Sequence, residues 1–191
     1  SGLNISSSIE TTDQTEAIIS MMFNSEEEEK KPWKPLSPLE IYDILKNVEC
    51  QWWIAGGYAI ESFVGEKFRD HDDIDVLILR SGLPEIRKTM SAWELFPSDP
   101  PGTLRPWASG EYLPSSIHDV WGRRNSDSPW AFQIMINDFD GDDFLYKRNH
   151  EIRFDLKSCT RVDQHGIPYI SPEFQLLHKA LRGQSKKTTL F

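Results

Sequence analysis

Asp73 and Asp75 stand two apart directly before the apolar run Val76-Leu77-Ile78-Leu79, and the pair Gly56-Gly57 lies sixteen residues ahead of the first of them. In an extended strand alternate side chains share a face, so both aspartates point the same way. Ile74, Val76 and Ile78 take the other side, while Leu77 and Leu79 continue the aspartate side. This pattern predicts a strand over Asp73–Leu79 that is buried on both faces. Two carboxylates side by side at the mouth of such a strand repel each other and are costly to bury unless a cation neutralises them. A divalent metal is the simplest compensation. Oxygen ligands suit Mg²⁺, which fills its remaining positions with water and phosphate oxygens. Gly56-Gly57 supplies a complement: without side chains, backbone N–H groups at a helix start can approach a phosphate closely. Gly-Gly or Asp-x-Asp alone is common in ordinary turns. Strand, Gly-Gly, helix and then Asp-x-Asp entering a buried strand is a far more specific order.

The elements that must hold these groups are readable around them. Ser37-Pro38-Leu39-Glu40 has an N-cap serine, a proline at the first helical position and a glutamate completing a capping box, so a helix starts there and runs to about Asn47. Gln51–Ala55 reads as a short buried strand and Tyr58–Val64 as a helix stopped by Gly65. Pro84–Leu95 reads as helical. Pro97–Pro114 is rich in proline and glycine and is expected to be loop with a short strand. Ser116–Trp121 and Trp130–Asn137 are strand candidates joined by a hairpin at Asn125–Pro129, and Asp138–Asp143 reads as a turn before a strand at Phe144–Tyr146. Ser171-Pro172-Glu173 starts a final helix with Phe174, Leu176, Leu177 and Ala180 as its apolar positions. The alternation predicts an α+β fold, a small mixed β-sheet flanked by helices. Residues 1–35 are expected to form a loose N-terminal arm and 36–191 one domain.

Bulk properties narrow the partners. The 191 residues carry a net charge of -9, with Glu26 to Glu29 in one run that is expected to be a solvated face. An acidic chain is a poor binder of nucleic acid, yet it can take a nucleotide whose countercharge is carried by metal. Cys50 and Cys159 lack metal-ligand spacing and are expected to be reduced thiols. No apolar run reaches membrane-spanning length and no signal pattern opens the chain, so no membrane association and a cytoplasmic location are expected.

The stretch AGGYAIESFVGEKFRDHDDIDV resembles the core of the polymerase-β-type nucleotidyltransferases, and most closely the aminoglycoside 2''-adenylyltransferase and lincosamide nucleotidyltransferase-like group. That group shows Gly-Gly, a helix, then Arg-x-His-x-Asp-x-Asp, matched by Arg69, His71, Asp73 and Asp75. A second block, GIPYISPEFQLLHKA at 166–180, is similar to the group's Gly-x-Pro-Tyr-x-x-Pro-Glu-x-Gln-Leu-Leu-x-Lys-Ala segment. The resemblance implies the nucleotidyltransferase fold and transfer of a nucleoside monophosphate, usually from ATP with Mg²⁺, to a hydroxyl of a small molecule. It implies that Asp73 and Asp75 bind the metal, that Gly56 and Gly57 receive the triphosphate, and that Arg69, His71 and Lys179 belong to the nucleotide site. One departure stands out. A third carboxylate is common on a neighbouring strand, where this chain has Gln133, which cannot take a proton. Asp138 and Asp119 are the substitutes, with Asp138 slightly favoured. The alternative is a decayed nucleotidyltransferase fold that serves as a nucleotide-binding or interaction module; a weaker one is a toxin-like enzyme acting on protein or RNA.

Other conspicuous residues have plainer readings. Trp52 and Trp53 are expected to pack in the core or at its rim. His118, His150 and His165 are expected to be structural or exposed, and Arg123-Arg124 and Lys147-Arg148 to be solvated.

Overall fold

The helix over Pro38–Leu45 starts where the cap residues require. Glu40 N–H donates to the Ser37 hydroxyl at 3.3 Å and Ser37 N–H donates to the Glu40 carboxylate at 2.8 Å, closing a reciprocal box over α1, Pro38–Leu45. These and the following observations come from a computed structural model that describes residues 25–146 and 149–176. After α1 come β1 (Trp52–Ile54), α2 (Gly56–Val64) and β2 (Asp75–Leu79), and Gly65 ends α2 in the left-handed region at φ 84°. The strand expected over Asp73–Leu79 therefore begins at Asp75, and Asp73 sits in the approach to it.

A 3₁₀ turn at Arg80–Gly82 leads into α3, Leu83–Thr89. The helix expected to reach Leu95 stops there, because 94–97 form β3, Glu94–Pro97, which pairs antiparallel with β4, Asp119–Arg123. Leu95 and Phe96 gain a sheet neighbour and burial that a helical continuation would not supply. The strand expected at Ser116–Trp121 is displaced to β4 for a local reason. The buried Arg80 guanidinium donates to the carbonyls of Leu113, Pro114, Ser115 and Ile117, so that backbone bends around it instead of joining a ladder. β5 is Phe132–Asn137. The expected turn at 138–143 contains a small hairpin, β6 (Phe139–Asp140) and β7 (Asp143–Leu145), turning at Gly141 with φ 61°. Four short elements follow that the sequence did not signal: β8 (Arg153–Asp155), α4 (Leu156–Cys159), β9 (Thr160–Val162) and β10 (Pro168–Ile170). Residues 172–176 are helical, as expected from Ser171-Pro172.

The main sheet has seven strands in the order β3-β4-β5-β2-β1-β10-β9, and β6-β7-β8 form a second, three-stranded sheet. β2 runs parallel to β5 and β1 parallel to β10, while the other pairs are antiparallel, so the sheet is mixed and the fold is α+β. Its centre is apolar on both faces, with Ile54, Val76, Ile78, Ile134 and the Trp53 ring buried. The rings of Trp53 and Phe144 meet at 5.1 Å and those of Phe144 and Phe174 at 5.0 Å, which locks the small sheet and the last described helix onto β1. Trp52 and Trp53 are core residues, as expected.

The acidic run near the N-terminus is not simply solvated. Arg123 is buried, with its guanidinium against Glu28 and Glu94 and over the rings of Phe96 and Trp130. Burial alone would raise the Glu28 carboxyl, but Lys31 and Arg123 outweigh it and hold it below its ordinary value. Lys34 N–H and Leu36 N–H donate to the carbonyls of Trp130 and Ala131, so residues 25–36 lie against the β4–β5 connection. Cys50 and Cys159 are unpaired, and burial raises both thiols, Cys50 to about 11 with Glu85 adding to it. Among the described residues no helix is long and apolar enough to cross a membrane.

Candidate active site

Strand register collects the polar residues on one face. Asp75 pairs with Gln133 and Leu77 with Met135 across β2 and β5, while Met135 pairs with Asp119 on β4. Residues paired across strands share a face. The side chains of Asp75, Gln133 and Asp119 therefore lie along one surface of the sheet, where they line a cavity of about 240 Å³. Asp73, Gly56, Gly57 and Arg69 close its rim, and Gln175 enters from the last described helix.

Both glycines are required by close approach. Gly56 has φ +65°, and a Cβ there would stand 2.3 Å from Asp75 Oδ2. A Cβ on Gly57 would stand 2.2 Å from His71 Cε1 and 2.9 Å from an Arg69 guanidinium nitrogen. The Gly-Gly turn thus leaves room for the Asp75 carboxylate on one residue and the His71 ring on the next. The backbone repeats the link, since Ala55 N–H donates to the Asp75 carbonyl at 2.9 Å.

His71 is buried. Its ring lies 4.3 Å from that of Tyr58 and 6.5 Å from that of Phe68. Its Nε2 lies 2.9 Å from Glu61 Oε1, off the line a hydrogen bond would take. Glu61, 8% exposed on α2, also accepts from the Phe68 and Arg69 amides at 3.2 and 3.3 Å. Burial alone would raise its carboxyl, but His71 and those two amides outweigh it and hold it below its ordinary value. Glu61 and His71 together pin the 65–74 loop to α2, which brings Arg69 to the rim beside Gly57.

The two substitutes for a third carboxylate part company. Asp119 lines the cavity, and its Oδ1 accepts from Gln133 Nε2 at 2.9 Å. Asp138 is not among the lining residues: it takes the Arg80 guanidinium in a two-point pair, Nε to Oδ1 at 2.5 Å and Nη2 to Oδ2 at 3.1 Å. Of the remaining candidates, Lys179 lies outside the described residues, as do Lys147 and Arg148. His118, expected to be structural or exposed, lines the cavity, while His150 and His165 are exposed. Gln175 was not singled out beforehand. It stands inside the second sequence block, but its bond to Gly56 joins positions 119 apart.

The residues fit a cation shared with its ligand better than a closed protein cage. Among the described residues no group of three or more His, Cys, Asp or Glu is arranged to hold a metal. Asp73 and Asp75 offer hard oxygens at an open rim, which suits Mg²⁺ completed by water and phosphate oxygens.

Residues 38–95, the stretch from α1 through β3, match the model of the aminoglycoside-2''-adenylyltransferase family. No curated protein matches the chain significantly. Among solved structures, the lincomycin-bound lincosamide antibiotic adenylyltransferase LnuA aligns over 76% of this chain and 85% of its own, at 14% identity and a TM-score of 0.50. A candidate nucleotidyltransferase from Thermotoga maritima aligns over 78% and 84%, at 23% identity and 0.46. ANT(2'')-Ia in complex with adenylyl-2''-tobramycin aligns over 70% and 68%, at 14% and 0.44. The matched segment builds the Gly-Gly and Asp-x-Asp edges of the cavity, and the fold that carries them is one the chain shares with LnuA.

Proposed function

We propose that the protein transfers a nucleoside monophosphate from ATP or another nucleoside triphosphate, with Mg²⁺, to a hydroxyl of a small molecule of the aminoglycoside or lincosamide kind. The observation that carries this reading is the convergence of Asp73, Asp75 and Asp119 on one cavity bounded by the Gly56-Gly57 turn and Arg69. Asp73 and Asp75 hold the metal, which when bound supplies countercharge to the phosphates and polarises the reacting phosphoryl group. Arg69 at the rim faces the phosphates, and Lys179, beyond the described residues, is a second cation for them.

The third carboxylate in this proposal is Asp119 rather than Asp138. Asp138 is engaged by Arg80 away from the cavity, while Asp119 is held in it by the neutral Gln133 amide. Gln133 cannot accept a proton, but it can fix the rotamer of a neighbour that does. The acceptor hydroxyl oxygen forms its bond to the α-phosphorus as the bond from that phosphorus to the pyrophosphate oxygen breaks, and Asp119 takes the hydroxyl proton. Most of the rate comes from positioning and electrostatics, as is usual where the protein forms no covalent bond. The decayed-module reading is not favoured, because a carboxylate stands in the cavity despite Gln133.

The test incubates the protein with each nucleoside triphosphate, Mg²⁺ and a panel of hydroxylated antibiotics, reading pyrophosphate release and product mass. An acceptor heavier by one nucleotidyl group, the nucleoside monophosphate less water, formed by wild type and not by Asp73→Asn, is expected. Equal turnover by the two proteins contradicts the assignment.

A further inference from the structure

α2 is capped by a residue far from it in sequence. Ala55 gives no side-chain cap and the first turn holds no acidic residue, so the N–H groups at this helix end need partners from elsewhere. Gly56 N–H finds one in the Gln175 side-chain oxygen, at 3.1 Å. A backbone N–H can only donate, so the atom facing Gly56 must be Oε1, and the NH₂ end of the carboxamide is turned away from it. Gln175 is 7% exposed, lines the cavity, and has no hydrogen-bond partner for Nε2 among the described residues.

Its neighbours hold it there. Phe174 packs on Phe144 and Phe154 at 5.0 and 5.3 Å, and Gln175 N–H donates to the Ser171 carbonyl. Gly56 in turn lies directly against the Asp75 carboxylate. The two N–H donors of Nε2 are therefore unspent at the cavity wall, with Gly56 between them and a carboxylate assigned to the metal. A donor held at a cavity wall is available to a ligand, and the acceptor that arrives with the metal is a phosphate oxygen.

We propose that Gln175 is a nucleotide-binding residue, its Oε1 fixed by Gly56 and its Nε2 donating to an anionic oxygen of the bound triphosphate. This rests on the nucleotidyltransferase reading and adds to it a ligand contact from the C-terminal helix. The same residue thereby couples docking of that helix to formation of the phosphate site.

The experiment compares wild type, Gln175→Glu and Gln175→Leu by calorimetry with ATP and Mg²⁺, alongside their melting temperatures. Glutamate keeps the acceptor for Gly56 N–H but replaces the donor with an anionic oxygen, whereas leucine loses both. Gln175→Glu is expected to bind the nucleotide at least about tenfold more weakly. Gln175→Leu is expected to bind weakly and to melt lower. Wild-type binding with an equally tight Gln175→Glu would overturn this inference alone and leave Gln175 as a helix cap. No metal-dependent binding by wild type would overturn the functional reading and the inference with it.

Discussion

The two ends of the central strands treat their carboxylates in opposite ways. At one end, Asp75 opens β2 beside the Gly56-Gly57 turn, and Asp119 across the sheet is held by the neutral amide of Gln133. At the other, Asp138 follows β5 and is matched point for point by the Arg80 guanidinium, which also takes up the carbonyls of Leu113, Pro114, Ser115 and Ile117. A carboxylate answered by a buried guanidinium is a structural tie, whereas one held by a neutral donor at a cavity wall keeps its charge available to a ligand. Proximity in sequence to the expected strand end does not separate the two aspartates. Their partners do.

Exchanging the two carboxylates one at a time tests that contrast. Asp119→Asn is expected to lower turnover by about 10²- to 10⁴-fold, the range for loss of a general base, with little change in melting temperature. Asp138→Asn is expected to do the reverse. It leaves a buried guanidinium short of its anion and costs about 3 kcal/mol of stability in urea unfolding, while turnover of the folded protein stays within about threefold. A large turnover loss in Asp138→Asn without destabilisation would move the third carboxylate back to Asp138.

The Gly-Gly edge can be perturbed more gently. Gly57→Ala sets a Cβ against the His71 ring and the Arg69 guanidinium, both of which must shift. A cost of about 2 kcal/mol is expected, the usual scale for overpacking, with weaker nucleotide binding as Arg69 is displaced. Unchanged stability and affinity would mean that His71 and Arg69 do not depend on that contact.

The smallest expected effect concerns Glu61. Its folded carboxyl titrates below the unfolded value of about 4.5, so the folded state binds fewer protons there. Its contribution is complete above that value and is lost as the pH falls through the lower folded one. Glu61→Gln should therefore cost about 1 kcal/mol at pH 7, and its gap from wild type should shrink below about pH 4. A gap that does not depend on pH would mean that the carboxylate charge is irrelevant to pinning the 65–74 loop.

Much of this was legible from residues 37 to 79. The Ser37 capping box, the Gly65 stop and the apolar run after Asp75 each reflect local chemistry, and they set α1, α2 and β2 to within a residue or two. Local chemistry misleads where a tertiary partner decides. Trp93 and Leu95 continue a helical pattern, yet pairing with β4 draws 94–97 into β3. The start of β4 at Asp119 depends on Arg80 bending the chain before it. β8, β9 and β10 are three residues each, too short for any periodicity to show. The choice between Asp119 and Asp138 required the strand register. Gln175 was visible only as a letter in a motif, because a bond across 119 positions leaves no local trace.

The central claim is that the cavity takes a metal–triphosphate complex at Asp73 and Asp75. The most direct test is a calorimetric titration of each nucleoside triphosphate into wild type and Asp73→Asn, with and without Mg²⁺. Binding that requires Mg²⁺ in wild type and is lost in Asp73→Asn is the predicted result. No metal-dependent binding in wild type, or equal binding in both proteins, would contradict it.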